Sequence, residues 1–256
     1  MKEKVSVIMT SYNSELTVCE AIDSILSQTY ANLELIIVDD GSSDSTLNLI
    51  KQYADSRIKL FELNDNVGLA KALNYGLSRV KGEFIARMDS DDVSLKERIE
   101  IQVKFLLSHP EIDLVGSSAH LCDEHLNVIG ELKKPLNFDF LKGFMQYQSP
   151  CIHPTWMFRK CVLESEFVYN VKLGVAQDYD FLARLVLNNK KIANIPQKTL
   201  FYRQNKSSSS YRKHYHQVLY GNAISSAYRL SMKKGLVYEL NEEIYYKTQP
   251  LLFPVL

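Results

Sequence analysis

The sequence predicts an α/β protein in which a Rossmann-like sheet is covered by helices on both faces. Short aliphatic and β-branched runs, typical of buried strands, alternate with segments whose apolar residues recur at helical spacing. This alternation is typical of βαβ units, which build parallel sheets. Polar residues follow three of the strands, at the edge of the sheet where such folds bind ligands.

The strands and helices of the first half follow one another at short intervals. Buried strands are predicted at residues 5–9, 33–38, 58–61 and 84–88. Helices are predicted between them, at residues 16–26, 47–53 and 67–74. The polar residues between a strand and a helix can cap the helix.

The second half predicts a sheet that becomes mixed, because period-two patterns dominate there. A helix begins near Arg98 and ends before Pro110. Further strands are predicted at residues 114–121, 128–129, 151–158 and 192–202, the last interrupted at Pro196. Another helix is predicted near residues 177–186, and the chain is again helical from Tyr211. Residues 136–147 have an ambiguous pattern and receive no assignment.

The composition indicates one sizeable core and no strong net charge. The chain has 256 residues, 46% of them hydrophobic, with 30 basic and 30 acidic side chains. This balance argues against a general nucleic-acid or membrane binder. Residues 181–238 nevertheless contain no Asp or Glu. This segment therefore either faces an anionic partner or forms an ordinary solvated basic surface.

The cysteines and the N-terminal residues indicate a cytoplasmic protein. The four cysteines have neither metal-ligand nor redox spacing, as expected in a reducing compartment. Residues 1–4 lead directly into a strand, without the apolar region of a secretory signal. No apolar stretch reaches the length that crosses a bilayer.

Three carboxylates, Asp89, Asp91 and Asp92, follow the fourth strand. In an extended chain Asp89 and Asp91 point to one side and Asp92 to the other. Neighbouring carboxylates repel each other unless a cation lies between them, and Mg²⁺ or Mn²⁺ prefers such oxygen ligands. The stretch therefore predicts a site for a divalent cation and a diphosphate. The alternative is an acidic turn before a helix, where acids are also favoured.

The first two strands end in polar residues at the same predicted edge. Thr10 and Tyr12 follow the first strand, and Asp39 and Asp40 follow the second. A structural turn does not require carboxylates to recur in this way, so the repetition favours a binding site. Asp39 alone could equally be a helix cap.

Four motifs, in order, resemble the inverting nucleotide-sugar glycosyltransferases of family 2, which have the GT-A fold. They are VSVIMTSYN at residues 5–13, IVDDGSSD at 37–44, NVGLA at 66–70 and MDSDD at 88–92. Gln177 and Asp178 resemble the later Glu-Asp pair of the family, and Tyr202 and Arg203 resemble its late Tyr-Arg motif. The resemblance covers roughly residues 4–210, with two departures. Gln177 replaces the usual Glu, and no His follows Arg203 where many members carry one.

The resemblance implies a GT-A glycosyltransferase domain at residues 1–210 and a helical, basic and aromatic appendage at residues 211–256. It implies transfer of a hexose or N-acetylhexosamine from a UDP-sugar to a saccharide hydroxyl, with inversion. We expect a diphosphate-lipid-linked acceptor, used in O-antigen or capsule synthesis. The basic appendage could then contact the inner face of the cell membrane. Nucleic acid is not an expected partner.

The resemblance also implies how the diphosphate is held. Asp91, with Asp89 or Asp92, would bind Mn²⁺ or Mg²⁺, which neutralises the charge of the departing nucleoside diphosphate. The remaining carboxylate of the three would bind the ribose hydroxyls. Arg203 and Lys206 would close on the diphosphate, the arginine by a bidentate contact.

For the nucleotide base, the resemblance implies that Asp40 accepts the N3–H of uracil. Thr10 and Tyr12 would bracket the base, because the Tyr12 ring offers a stacking face. Lys71 would approach the nucleotide, unless it is a solvated helix lysine.

Inversion requires a base on the face opposite the leaving group, and the resemblance assigns Asp178 to that role. The alternative for Asp178 is an acid that only begins a helix. Two other residues with suitable chemistry, His153 and Trp156, lie on an apolar stretch and are better interpreted as core residues.

Two other functions remain open. A metal-dependent nucleotidyltransferase would share the fold class and the acidic site, but the residues after the first strand lack a Gly-rich phosphate loop. A non-catalytic nucleotide-sugar binder would keep the site and perform no reaction.

Overall fold

A computed structural model of the chain describes residues 2–164, 168–204, 214–234 and 240. Nine strands in these residues form one mixed sheet with helices packed on both faces. The predicted α/β class is therefore confirmed.

The strands are β1 (Val5–Ser11), β2 (Leu33–Asp39), β3 (Ile58–Glu62), β4 (Phe84–Asp89), β5 (Val93–Ser94), β6 (Leu114–Cys122), β7 (Val128–Leu132), β8 (Met157–Arg159) and β9 (Ile192–Arg203). The helices are α1 (Val18–Leu26), α2 (Thr46–Lys51), α3 (Leu69–Leu77), α4 (Arg98–Ser108), α5 (Phe138–Phe144), α6 (Cys161–Glu164), α7 (Gln177–Leu187) and α8 (His214–Lys234). A 3₁₀ turn lies at His153–Thr155.

The sheet is parallel in its first half and mixed in its second half, as the sequence predicts. Its strand order is β3-β2-β1-β4-β8-β6-β9-β5, and β7 pairs with the C-terminal part of β6, beyond the residues that pair with β8. Strands β1 to β4 are mutually parallel where they pair. Antiparallel pairing begins where β8 joins β4, and β6 then pairs in parallel with β9. The C-terminal ends of β1, β2 and β4 therefore share one edge.

The prediction of one strand over residues 151–158 is wrong. Pro154 lies in a 3₁₀ turn, and only the three residues of β8 are extended after it. Proline lacks the N–H that a central strand needs for its ladder, which explains the break. The unassigned residues 136–147 contain α5, where the Asn137 side chain caps the helix by accepting the N–H of Phe140.

The central strands alternate between two hydrophobic cores. On β4, Phe84, Ala86 and Met88 lie in the core beneath α1 and α4, and Ile85 lies in the core beneath α3 and α7. Burying an aliphatic or aromatic side chain of this kind contributes about 1.5–3 kcal/mol. A slip of one residue would exchange the two faces, so the alternation fixes the register of the sheet.

The long helix α8 packs against the body of the protein. Ile224 and Tyr228 belong to the core beneath α3 and α7, and the Tyr228 hydroxyl donates to the carbonyl of Lys142 at 3.2 Å. The predicted C-terminal helix is confirmed, whereas the domain boundary at residue 210 stays a prediction. Among the described residues, no helix combines the length and apolar character needed to cross a membrane.

Gly41 is expected to be intolerant of a side chain. Its φ of +71° lies in the left-handed region, and an added Cβ would lie 2.6 Å from the carbonyl carbon of Asp65. We expect Gly41→Ala to lower the free energy of unfolding by about 2 kcal/mol or more in urea denaturation. Gly143→Ala in α5 is the matched control, because its Cβ would meet nothing within 4 Å. Equal losses in the two variants would contradict this account.

Candidate active site

The polar residues that follow β1, β2 and β4 meet at one edge of the sheet. In the strand register, Thr10 of β1 lies between Val38 of β2 and Asp89 of β4. The backbone N–H of Asp40 donates to the carbonyl of Ser11 at 2.8 Å, which continues this alignment one residue past β2. Parallel pairing thus brings together residues that are distant in the sequence.

The three acids after β4 form one cluster. One carboxylate oxygen from each of Asp89, Asp91 and Asp92 lies within 4.8 Å of the others. The expectation that Asp92 points away from the other two is wrong, because the chain turns at Ser90 and Asp91 and is not extended there. The turn directs all three carboxylates to one point.

The loop between β1 and α1 holds this acidic turn in place. The hydroxyl groups of Ser14 and Ser90 lie 2.8 Å apart, and the Thr17 hydroxyl donates to the Ser90 carbonyl at 2.9 Å. Both contacts join residues more than 70 positions apart. The geometry of the acids therefore depends on the β1 edge as well as on β4.

Arg203, at the end of β9, holds the other side of the turn. Its backbone N–H donates to Asp92 Oδ1 and its Nε–H to the carbonyl of Asp91, both at 2.8 Å. Its two terminal nitrogens bond the carboxylate of Glu20 and the carbonyl of Glu124. The predicted contact of Arg203 with a diphosphate would require it to leave one of these partners. Lys206 lies outside the described residues.

Burial and mutual repulsion disfavour charge on these acids. Burial and the neighbouring Asp89 raise the pKa of Asp91 to about 6. Burial, followed by the charges of Asp91 and Asp89, raises the pKa of Asp92 well above its ordinary value. Asp92 Oδ2 is buried without a hydrogen-bond partner. An all-carboxylate donor set with one orphaned oxygen fits a hard divalent cation.

Asp39 and Asp40 have different roles at the end of β2. Asp39 is buried and accepts hydrogen bonds from the hydroxyl of Ser11 and from the backbone N–H of Ser42. Asp40 accepts the N–H groups of Val67 and Gly68 at 2.8 and 3.0 Å, which ties it to the start of α3. Asp39 therefore holds the turn after β2, and it is not the cap of α2, whose N-cap residue is Ser45. Burial raises the pKa of Asp40.

Three further residues with a predicted nucleotide contact lie around this edge. Thr10 is buried at the end of β1. Tyr12, two residues later, is 48% exposed, so its ring is available for stacking. Lys71 lies in the first turn of α3 with its side chain in solvent. The contacts of all three with a nucleotide remain predictions.

Asp178 lies in the first turn of α7, after Ala176 in the left-handed conformation. Asp178 is half-buried. Burial raises the pKa of Asp178. The backbone N–H of Tyr179 and the charges of Arg87 and Lys134 partly oppose this rise.

Arg87 connects Asp178 to the acidic cluster. It lies on β4 and is only 3% exposed. Its Nη2 forms an ion pair with Asp89, and its charge acts on Asp92 as well as on Asp178. Sequence reasoning assigned no role to Arg87. The sequence does contain a signal for Arg87, because it is a charged residue within an apolar strand. It precedes Asp89 by two positions, and the two side chains therefore lie on the same face of the strand.

Trp156 is a core residue, as predicted, and His153 is half-buried beside it. His153 Nε2 lies 2.8 Å from the Tyr169 hydroxyl, and burial lowers the pKa of His153 well below its ordinary value. Trp156 is fully buried and packs on His153 and Phe181. Trp156 therefore offers no ring face to a sugar.

The chain matches the family model described as Glycosyl transferase family 2 over residues 6–167. It is 43% identical to the Bacillus subtilis protein EpsE over 163 residues, which are 61% of this chain and 56% of that protein. It is 45% identical over 138 residues to the Escherichia coli UDP-Glc:alpha-D-GlcNAc-diphosphoundecaprenol beta-1,3-glucosyltransferase WfgD. That match covers 54% of each chain. The chain thus spans about half the length of these two relatives.

The fold is similar to that of a solved structure, S. aureus TarS 1-349 in complex with UDP-GlcNAc. The TM-score is 0.70 at 23% sequence identity, over 96% of this chain and 71% of that chain. At this identity the likeness concerns the fold. It agrees with the mixed sheet and the flanking helices described above.

Proposed function

The chain belongs to glycosyl transferase family 2 and has the GT-A fold, and from this we propose that it moves a hexose or N-acetylhexosamine from a UDP-sugar to a saccharide hydroxyl with inversion. The observation that carries the proposal is the convergence of Asp89, Asp91 and Asp92 at the edge shared by β1, β2 and β4. Ligands of open α/β sheets bind at this edge.

Asp89, Asp91 and Asp92 would hold Mn²⁺ or Mg²⁺, with Asp91 as the principal ligand. Such a cation supplies Lewis-acid stabilisation of the charge that develops on a departing diphosphate. The orphaned Oδ2 of Asp92 and the raised pKa of Asp91 support this assignment. Arg203 contributes by holding the backbone of the acidic turn. We also propose that Arg203 contacts the diphosphate directly.

The nucleotide would lie across the ends of β1 and β2. Tyr12 would stack on the base next to Thr10, and Lys71 would approach from α3. A carboxylate offers about four acceptor sites. Asp40 can therefore accept the N3–H of uracil while it keeps the two backbone N–H groups of α3.

Asp178 would act as the general base. It takes the proton of the acceptor hydroxyl while that oxygen attacks the anomeric carbon, and the bond from this carbon to the diphosphate breaks. The products are a glycoside of inverted configuration and UDP. The half-buried position of Asp178, and the action of the Arg87 charge on both Asp178 and Asp89, support this role.

For the acceptor, we propose a saccharide linked to a lipid diphosphate, in the synthesis of an O-antigen or capsule-type polysaccharide. The similar protein WfgD is named for an acceptor of this class. The enzyme would work in the cytoplasm at the inner membrane face, with the exposed basic residues at the end of α8, Lys233 and Lys234, toward anionic lipid.

The test is a screen of UDP-sugars for UDP release, with and without Mn²⁺ and with and without a diphosphate-linked N-acetylhexosamine acceptor. We expect metal-dependent release that increases when the acceptor is present. Release of pyrophosphate in place of UDP would indicate a nucleotidyltransferase. Binding of a UDP-sugar with no release under any condition would indicate a non-catalytic binder.

A further inference from the structure

Arg87 interacts with both parts of the candidate active site. Along β4, Ile85, Arg87 and Asp89 share the face of the sheet that packs on α7, since Phe84, Ala86 and Met88 face the other core. Asp178 lies in the first turn of α7. Arg87 pairs with Asp89, and its charge also acts on Asp178.

The backbone of Arg87 is fixed, whereas part of its side chain is not satisfied. Its N–H donates to the carbonyl of Trp156 at 2.9 Å, and its carbonyl accepts a hydrogen bond from Arg98 at 2.6 Å. Nη2 pairs with Asp89. Nε and Nη1 are buried, and no described residue offers either of them an acceptor. An unsatisfied buried donor on a charged group is costly, so such donors call for a ligand.

Arg98, the adjacent buried arginine, shows the opposite arrangement. Its Nε donates to the side-chain oxygen of Gln102, its Nη1 to the hydroxyl of Ser94 and its Nη2 to the carbonyl of Arg87. Every nitrogen of the Arg98 guanidinium thus has an acceptor within the protein. The fold can satisfy a buried arginine completely, and it does not do so at Arg87.

The proposed reaction identifies what lies beside Arg87. The acidic cluster marks the diphosphate, and the base Asp178 marks the opposite side of the anomeric carbon. In an inverting transfer the sugar ring must lie between the two. A guanidinium that is not fully paired can donate a charge-assisted hydrogen bond to a sugar hydroxyl.

We propose that Arg87 binds the transferred sugar of the donor, through a charge-assisted hydrogen bond from Nε or Nη1 to a hydroxyl oxygen of the sugar. This inference rests on the proposed function.

The test compares the affinities for UDP and for a UDP-sugar, measured by calorimetry with Mn²⁺ and without acceptor. UDP-glucose and UDP-N-acetylglucosamine are the probes. The probe that the wild-type protein binds with the higher affinity is used for all variants. In Arg87→Met we expect the UDP-sugar affinity to fall by about 10-fold to 100-fold, with the UDP affinity unchanged. Arg87→Lys, which keeps one charged donor and is the safer variant for folding, should show a smaller loss in the same direction.

Arg98→Lys is the matched control for disturbance of a buried arginine. It should lower thermal stability and leave the ratio of the two affinities unchanged. Equal losses of affinity for UDP and for the UDP-sugar in the Arg87 variants, or no loss, would overturn the proposed role of Arg87 and leave the proposed function standing. The same conclusion would follow if Arg98→Lys changed the ratio of the two affinities as much as the Arg87 variants do. A wild-type protein that binds neither probe nor UDP would overturn the proposed function and this inference with it.

Discussion

Asp178→Asn is expected to reduce the transfer rate by at least about 10²-fold, because the amide cannot take a proton from the acceptor hydroxyl. The affinity for the UDP-sugar should change little, because Asp178 acts on the acceptor. The measurement is kcat for the acceptor together with calorimetric binding of the donor. The matched control is Glu100→Gln, another acid in the first turn of a helix, α4, which is expected to leave kcat unchanged. Equal rates for Asp178→Asn and the wild-type protein would leave Asp178 as a helix-start acid.

The same substitution has an expected effect on stability. The pKa of Asp178 is higher in the folded protein than its ordinary value of 3.8. At neutral pH the ionised, buried carboxylate therefore opposes folding, and this cost disappears as the pH falls below both pKa values. Asparagine has no charge to bury, so Asp178→Asn should unfold at a higher temperature than the wild-type protein at pH 7. The difference should narrow as the pH falls toward 3.8, and a constant difference would contradict the assigned cause.

Asp91→Ala is expected to abolish the metal dependence of UDP release and to lower its rate by about 10³-fold. Asp91 lies in the middle of the acidic turn, and its carboxylate faces those of Asp89 and Asp92. Removing it leaves too few oxygen ligands at one point for a tight site. Mn²⁺ binding, followed by electron paramagnetic resonance of the free ion, should weaken in parallel.

Metal removal from the wild-type protein should reproduce the loss, and Mn²⁺ should restore the rate. Asp55→Ala is the control, since Asp55 pairs with Arg57 before β3, at the opposite edge of the sheet. It should retain both the rate and its response to Mn²⁺. Unchanged turnover by Asp91→Ala after exhaustive chelation would remove the case for a metal site.

Much of the fold was predictable because its signals are local. Buried strands β1, β2 and β4 are continuous apolar runs, and the polar residues after them mark one edge wherever the strands are parallel. The short strand β5 was missed, because two residues carry no periodic signal. The break at Pro154 could have been predicted locally, because proline lacks the N–H that a continuous strand at residues 151–158 would need.

The candidate site was predictable in its residue types and less so in its contacts. Thr10, Asp40 and the three acids after β4 lie at the edge where the sequence places them. The backbone partners of Asp40 are 27 and 28 residues away, and that of Asp92 is 111 residues away. No pattern within one segment specifies such contacts.

The sequence by itself determined the alternation of strands and helices, the carboxylates that follow the strands, and the family to which the chain belongs. Only the tertiary structure decided that Asp92 turns toward Asp89, that Arg203 supports the acidic turn, and that Arg87 pairs with Asp89 and leaves two donors unpaired among the described residues. The physical reason is that hydrophobic periodicity and turn chemistry act over a few residues. The direction of a buried charged side chain is set by donors and acceptors that folding brings from distant strands.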